Sequence, residues 1–450
     1  MTPVIKPLWQ RFLIFLLPLM LSNILQALSG TINNIYIGQL IGVNALAAAS
    51  VFFPIMFFLM SFVIGLSSGA TVLIGQAWGG RNIDKVKEVA GTTLTAAFLF
   101  GIVVALIGIF FSDALIRLLG APADIRPEAA GFARIFLIGM PAFFLYLIIT
   151  STLRGVGDTI TPLLALGISI CTGLIVTPAL ILGWAGLPKI GVNAAAVASI
   201  VSFVAVLIFL FFYLRARKHP MAPDSALLRH LRIDPRMLLL ILKLGVPAGV
   251  QMVVSSISAI VVVGLVNAYG SSATAAYGAV NQVLSYVQFP AMSIAIATSI
   301  FGAQAIGAGQ AGQLGAITRT GEIMNLILTG ALILIAYIFS ENIVSLFIID
   351  PAVVTMTETL LHIVLWSVLL FGASAVLTGT MRASGTVLPP MLISLATILC
   401  VELPGAILLS HIFGLEGIWV AYSLSFSTML LLQGIYYWFF WRRKRVVALV

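Results

Sequence analysis

Charge is what this chain has least of: Asp, Glu, Lys and Arg make up 8% of 450 residues, where a soluble domain carries roughly 25%. With 61% of residues hydrophobic, a water-soluble globule is excluded. Histidine is scarcer still. His219, His230, His362 and His411 are scattered without paired spacing, which argues against a zinc or haem site. Cys171 and Cys400 both lie inside apolar runs, so neither a disulfide framework nor a cysteine metal site is expected. No G-x-x-x-x-G-K-[ST] segment occurs, which removes the usual loop for cradling ATP phosphates. The glycines of GQAWGGRN and GAQAIGAGQ read instead as helix ends and tight turns. No catalytic constellation appears, so the chain is expected to be neither an enzyme nor a holder of a cofactor.

Long apolar runs fill the space those absences leave. A membrane span needs about 20 mostly apolar residues, and segments of that kind are predicted at 12–37, 46–74, 90–112, 131–152, 160–183, 190–214, 239–267, 275–303, 321–339, 357–378, 388–412 and 416–441. The first follows Lys6 and Arg11 but is too long for a signal peptide's core, and reads as a retained span. With an even number of spans, both termini share one side. That side collects nineteen Lys and Arg and the other only Arg117, Arg126, Arg134 and Lys189, so both termini are predicted to be cytoplasmic. The net charge of +9 is therefore a matter of topology and of anionic lipid headgroups rather than of nucleic acid.

The two halves repeat. Pro18 and Pro247 are 229 residues apart; Gly42 and Gly270, Gln76 and Gln304, and Arg154 and Arg382 are 228 apart; Pro178 and Pro404, and Gly191 and Gly417, are 226 apart. Landmarks held to so narrow an offset mark a duplication. Six spans per copy insert the same way up. The predicted fold is an all-α integral membrane protein of twelve transmembrane helices in two six-helix bundles, related by a pseudo-twofold along the membrane normal. The division read from the sequence is 1–214 for the first lobe, 215–238 for a basic linker with Pro220, Pro223 and Pro235, and 239–450 for the second lobe with its basic tail. With no means of spending ATP, such a frame draws its energy from an ion gradient or the solute gradient itself.

The order of these landmarks resembles the multidrug and toxic compound extrusion (MATE) family over nearly the full length. The resemblance rests on Pro18, on Gly38 and GVNALAA from Gly42, on GQAWGGRN, LRGVGDTITP and AAYGAVNQV, and on GLEGIWVAYSLS opening the last span. It implies a two-lobed secondary exporter of hydrophobic, often cationic compounds, exchanging them for protons or sodium ions. It further implies a monomer in a prokaryotic inner membrane whose partners are small hydrophobic substrates and lipid. A flippase of lipid-linked saccharides, from the wider superfamily, is the alternative. The family's usual membrane carboxylates are replaced here, aligning with Asn33, Thr177, Ser255 and the neighbourhood of Phe371.

Glu402 is the exception among the acids, near the centre of the eleventh apolar run and two residues before Pro404. A charge at that depth costs at least about 2.5–3.5 kcal/mol, so this carboxyl should face a wet cavity, meet a cation or carry a proton. An uncharged set joins it as candidates for the ion or substrate path. Asn23, Gln26, Ser29 and Asn33 share one face of the first run, as Gln251, Ser255 and Ser258 do on the seventh. Interhelical hydrogen bonding would explain the same pattern. Pro18, Pro178, Pro247 and Pro404 are candidate helix breaks. Glu358, His362 and Trp366, at i, i+4 and i+8, together with Arg134 at the equivalent place in the first copy, are candidates for an external gate or a pH-sensitive contact, and anchoring at the membrane interface would explain them as well. Arg319 and Glu322 read as a surface ion pair.

Overall fold

A computed structural model describes residues 6–450, the side chains of Val43 and Leu46 excepted. The described residues form helices and no strand. Eleven helices are long and apolar enough to cross a bilayer, and the bent pair Arg126–Ile138 and Met140–Gly155 supplies a twelfth span. That bend of 49° has a local cause. Gly139 separates the two helices, and Pro141 at the start of the second cannot donate backward to continue the first.

Several helices outrun their apolar segments because polar residues cap them. The third span is helical from Ile83 to Leu118, well beyond 90–112. The Asn82 side chain accepts from the Lys85 backbone N–H at 3.0 Å, and Asp84 sits in the first turn, an arrangement that favours the positive end of a helix. The tenth span likewise begins at Pro351, where Asp350 accepts from the Ala352 N–H at 2.9 Å. It breaks at Trp366 between Pro351–Leu365 and Ser367–Ala383. In the second apolar segment the helix restarts at Phe53 after a short helix Val43–Val51, because Pro54 begins a new helix rather than continuing one.

The duplication is visible in the backbone. Left-handed conformations recur at Gly42 and Gly270, at Gly157 and Gly385, and at Arg81 and Gly309. Arg81 holds a φ of 57° where the second copy has glycine, so the first copy bears a strain that the second avoids.

Packing divides the chain into two compact units, Leu21–Gly249 and Val250–Val450, the latter including the described residues through Met20. This is not the sequence division at 214 and 239. The first span Leu8–Leu40 and the seventh span Pro235–Asn267 each contribute to both units. The linker belongs to the first unit.

In the unit holding the second copy, Phe12, Phe15 and Leu16 pack with Ala297 and Phe301, the rings of Phe12 and Phe301 lying 4.8 Å apart. In the other unit the corresponding contact has no side-chain layer. Ser61, Gly65 and Gly69 on the second span meet Ile241, Gly245 and Gly249 on the seventh, backbone against backbone. Small residues at four-residue spacing allow such an approach between helices. Helix continues through Pro18, Pro178 and Pro247, while Pro404 follows directly on a π-helical turn, Ile398–Glu402.

Candidate functional site

Glu402 ends that π-helical turn, and Pro404 behind it cannot donate to the carbonyl four residues earlier. An extra residue in the turn rotates the chain locally, a device common at functional positions. The Glu402 side chain is buried, with 8% of its surface exposed. Ser258 Oγ of the seventh span donates to Oε1 at 2.6 Å, and Ser425 Oγ of the twelfth span, Leu415–Arg443, donates to Oε2 at 3.2 Å. Both oxygens of the carboxyl thus meet a hydroxyl, and both hydroxyls are themselves buried.

Beside this triad runs a ladder of rings. Tyr422 neighbours both Glu402 and Tyr277. Ring centroids are 5.5 Å apart for Tyr277 and Trp419, 5.7 Å for Trp419 and Tyr422, and 5.2 Å for Phe371 and Phe426. Phe371 presents an aromatic face in the neighbourhood where the family resemblance implies an acid. Trp419 is fully buried, and its Nε1 has no hydrogen-bond partner among the described residues. The cluster brings together one carboxyl, hydroxyls and π-faces, a combination that suits a cation.

The other candidates differ in burial. Thr177 is buried; Asn23, Asn33 and Gln251 are half-buried; Gln26 and Ser255 are exposed. Of the seventh-span stripe, only Ser258 bonds Glu402. Glu358 accepts from Ser340 Oγ and lies 3.8 Å from His362 Nε2, while the Tyr337 hydroxyl donates to the His362 carbonyl at 2.8 Å. Arg134 belongs to the other unit, where its Nε donates to Ser112 Oγ at 3.1 Å. The expected pair of Arg319 and Glu322 is not among the ion pairs of the described residues. Arg319 is exposed, while Glu322 is half-buried.

Sequence reasoning missed Ser425, Tyr422 and Tyr277. Both tyrosines stand inside the segments AAYGAVNQV and GLEGIWVAYSLS, but Ser425 is 23 residues from Glu402 and Ser258 is 144. No local spacing reports such a meeting. Asn325 was also missed. It is buried in the ninth span, its Nδ2 donating to the Leu369 carbonyl at 3.0 Å, and its Oδ1 occupies the space a side chain at Gly372 would need.

The first unit holds a cavity of about 530 Å³ between the first and fifth spans, walled by Leu21, Leu25, Leu164, Ile168, Cys171 and Ile175. Thr172 is its hydroxyl-bearing wall residue, and that hydroxyl donates to the Ile168 carbonyl at 2.8 Å. The lining is accordingly apolar.

The linker is folded onto the third span. Asp224 caps the short helix Ser225–His230 through the Leu227 N–H at 2.8 Å and pairs with Lys87, while Thr92 Oγ1 donates to the Arg232 carbonyl at 3.4 Å. His219 Nδ1 accepts from the Met221 N–H at 3.1 Å, leaving Nε2 to face Asp158 at 3.5 Å. Burial holds the His219 imidazole below its ordinary pKa, with Asp158 opposing. The hydrogen bond from Lys87 holds the Asp224 carboxyl below its usual range.

A histidine whose folded pKa is depressed binds fewer protons when docked than when released. Docking is therefore weakened as pH falls below the unfolded value of about 6.5, until the docked ring protonates too. Asp224 contributes above the unfolded carboxylate value of about 3.9 and loses that contribution only at lower pH. Between pH 7.5 and 5.5, then, His219 contributes to the change and Asp224 does not. Amide hydrogen exchange over 217–234, corrected for intrinsic rates, is expected to speed up on acidification, and His219→Gln is expected to remove that change.

Comparison with known proteins agrees with this architecture. The MatE family model matches residues 18–179 and again 247–408, two copies whose starts coincide with Pro18 and Pro247. The chain is 46% identical to the probable multidrug resistance protein YoeA of Bacillus subtilis, covering 99% of this chain and 97% of that one. It is 26% identical to the probable multidrug resistance protein NorM of Thermotoga maritima, covering 90% and 86%. A solved mutant of the Vibrio cholerae MATE transporter VcmN superposes with a TM-score of 0.89 at 19% identity, covering 97% and 98% of the two chains. The chain belongs to the MATE family of multidrug efflux transporters, multi-pass membrane proteins of twelve helices in two lobes.

Proposed function

We propose that this transporter is a secondary active exporter of hydrophobic, cationic compounds, driven by exchange for an inward-moving cation, and that Glu402 is its coupling carboxyl. It works without a cofactor, as a monomer in a prokaryotic inner membrane with both termini cytoplasmic. The observation that carries the reading is the buried Glu402 held between Ser258 and Ser425 at the π-helical turn. A single carboxyl ringed by hydroxyls can take up and release one charge by rotating those hydroxyls. A proton needs nothing more, and is the favoured ion; sodium would recruit the same oxygens as ligands.

Exchange follows if substrate and ion compete for the negative form of this group. An organic cation entering beside Tyr277 and Tyr422 is stabilised by the carboxylate and the rings, and protonation of Glu402 removes that attraction and releases it. The apolar cavity in the first unit is a second place for a hydrophobic body to rest. The test is efflux of a fluorescent lipophilic cation from proteoliposomes under proton and sodium gradients imposed separately. Export under the proton gradient alone is expected. Export under neither would overturn the antiport reading, and export under sodium alone would reassign the ion.

A further inference from the structure

We propose that the end of the twelfth span is a built site for the phosphate headgroup of anionic phospholipid. The span closes in a π-helical turn, Tyr436–Phe440, followed by a 3-10 turn, Trp441–Arg443. The wider turn separates two sets of aromatic residues. Tyr437 and Trp441 point inward and are 4% and 3% exposed, whereas Trp438, Phe439 and Phe440 are 58%, 61% and 59% exposed.

The inward pair is bolted in place. Tyr437 stacks on Trp441 with centroids 5.1 Å apart and donates from its hydroxyl to Thr318 Oγ1 at 3.2 Å, and Trp441 Nε1 donates to Ser384 Oγ at 3.0 Å. The cations that follow are therefore presented from a fixed point rather than on a loose tail. Arg442 lies over the Trp438 ring at 4.3 Å, and Lys444 Nζ donates to the Tyr436 hydroxyl at 3.1 Å.

Arg442, Arg443, Lys444 and Arg445 are all exposed, and none takes part in an ion pair among the described residues. No Asp or Glu follows Glu416 in the sequence. Unneutralised cations beside an outward apolar belt fit one surface, with acyl chains against Trp438, Phe439 and Phe440 and phosphates against the basic groups. This reading is independent of the coupling ion and of Glu402.

Native mass spectrometry of the full chain, after exchange into detergent doped with phosphatidylglycerol or phosphatidylcholine, tests the site. Wild type is expected to retain phosphatidylglycerol preferentially. Changing Arg442→Gln, Arg443→Gln, Lys444→Gln and Arg445→Gln together is expected to reduce that retention by about 600-fold, roughly fivefold for each cation. Trp441→Ala keeps every charge but releases the anchor, and is expected to reduce it roughly fivefold, the equivalent of one cation. Ser384→Ala, which removes the acceptor of Trp441 Nε1 along with that hydroxyl's bonds to the Met381 carbonyl and Thr386 Oγ1, serves if Trp441→Ala does not fold.

Equal retention of the two lipids would overturn the proposal. Undiminished retention in the four-Gln protein would overturn it as well. Loss in the four-Gln protein with none in a folded Trp441→Ala or Ser384→Ala protein would reduce the feature to diffuse attraction and overturn the built site. Excess inorganic phosphate that displaced the lipid and bound in its place would assign the cations to free anions instead.

Discussion

Glu402→Gln is expected to abolish gradient-driven export while leaving a folded transporter. Glutamine keeps the shape of the side chain and an oxygen for Ser258, whose hydroxyl now donates to the carboxyl at 2.6 Å. Its amide N–H can turn to the Ser425 oxygen, which accepts as readily as its hydroxyl donates. What is lost is the ability to change charge. If ion and substrate communicate through this group, their coupling free energy is about 1–3 kcal/mol, so protonation should change the substrate affinity of wild type by about 5–150-fold and leave that of the variant unchanged. Coupling of this kind is reciprocal. Substrate added to detergent-solubilised wild type at fixed pH should release protons, and substrate added to Glu402→Gln should release none. Exchange of labelled for unlabelled substrate across the bilayer, which needs no net ion movement, should persist in the variant. Undiminished gradient-driven export by Glu402→Gln would remove Glu402 from the mechanism. Ser258→Ala and Ser425→Ala leave the charge in place and remove one donor each, so each should impair export less than Glu402→Gln does.

The frame of this protein could be read from its sequence because apolar length and repeated landmarks are properties of single segments. Pro18 and Pro247 gave the offset at which the family model later matched twice. Gly42 and Gly270, chosen as marks of the repeat, both take left-handed backbone. Glu402 could be singled out for the same reason, since one carboxyl in a long apolar run is conspicuous by itself. Its partners could not. A hydroxyl on the seventh span and another on the twelfth look like dozens of others until packing brings them to one carboxyl. The division at 214 and 239 follows the two copies of the repeat, whereas the packing units divide at Met20 and Gly249. Sequence duplication counts the first and seventh spans as members of their own copies, whereas each span is divided between the two units. The pair expected of Arg319 and Glu322 rested on helical spacing alone, which places two residues near each other without deciding which way either side chain turns.

Gly245→Leu is expected to be the most damaging single substitution outside the polar cluster. A Cβ at Gly245 would fall 2.7 Å from the carbonyl carbon of Gly65 and 3.2 Å from the Leu66 nitrogen, and a Cβ at Gly65 would fall 2.7 Å from the Gly245 oxygen. These neighbours are backbone, which cannot swing aside as the tip of a side chain can. Either two helices separate or the seam does not form. Overpacking a tight interior costs about 1–3 kcal/mol even for modest additions, and here the added atoms meet rigid backbone on both sides. Gly245→Ala should lower thermal stability by that amount, and Gly245→Leu should lower it further and remove export. Gly264 lies on the same helix with open space where a side chain would go, so Gly264→Leu should be tolerated by both measures. The equivalent place in the other unit is filled by Leu16 beside Phe12, Ala297 and Phe301, where packing is carried by side chains that can repack. Leu16→Ala should therefore leave a cavity and cost stability by lost contact, about 2–5 kcal/mol, whereas the glycine seam should fail by intrusion. A single duplication has produced two helix contacts with opposite sensitivities: one copy tolerates no atom added, the other none removed. Thermal unfolding of Gly245→Ala and Leu16→Ala, each with its export rate, measures that difference directly, and stability unchanged in Gly245→Ala would refute the backbone seam.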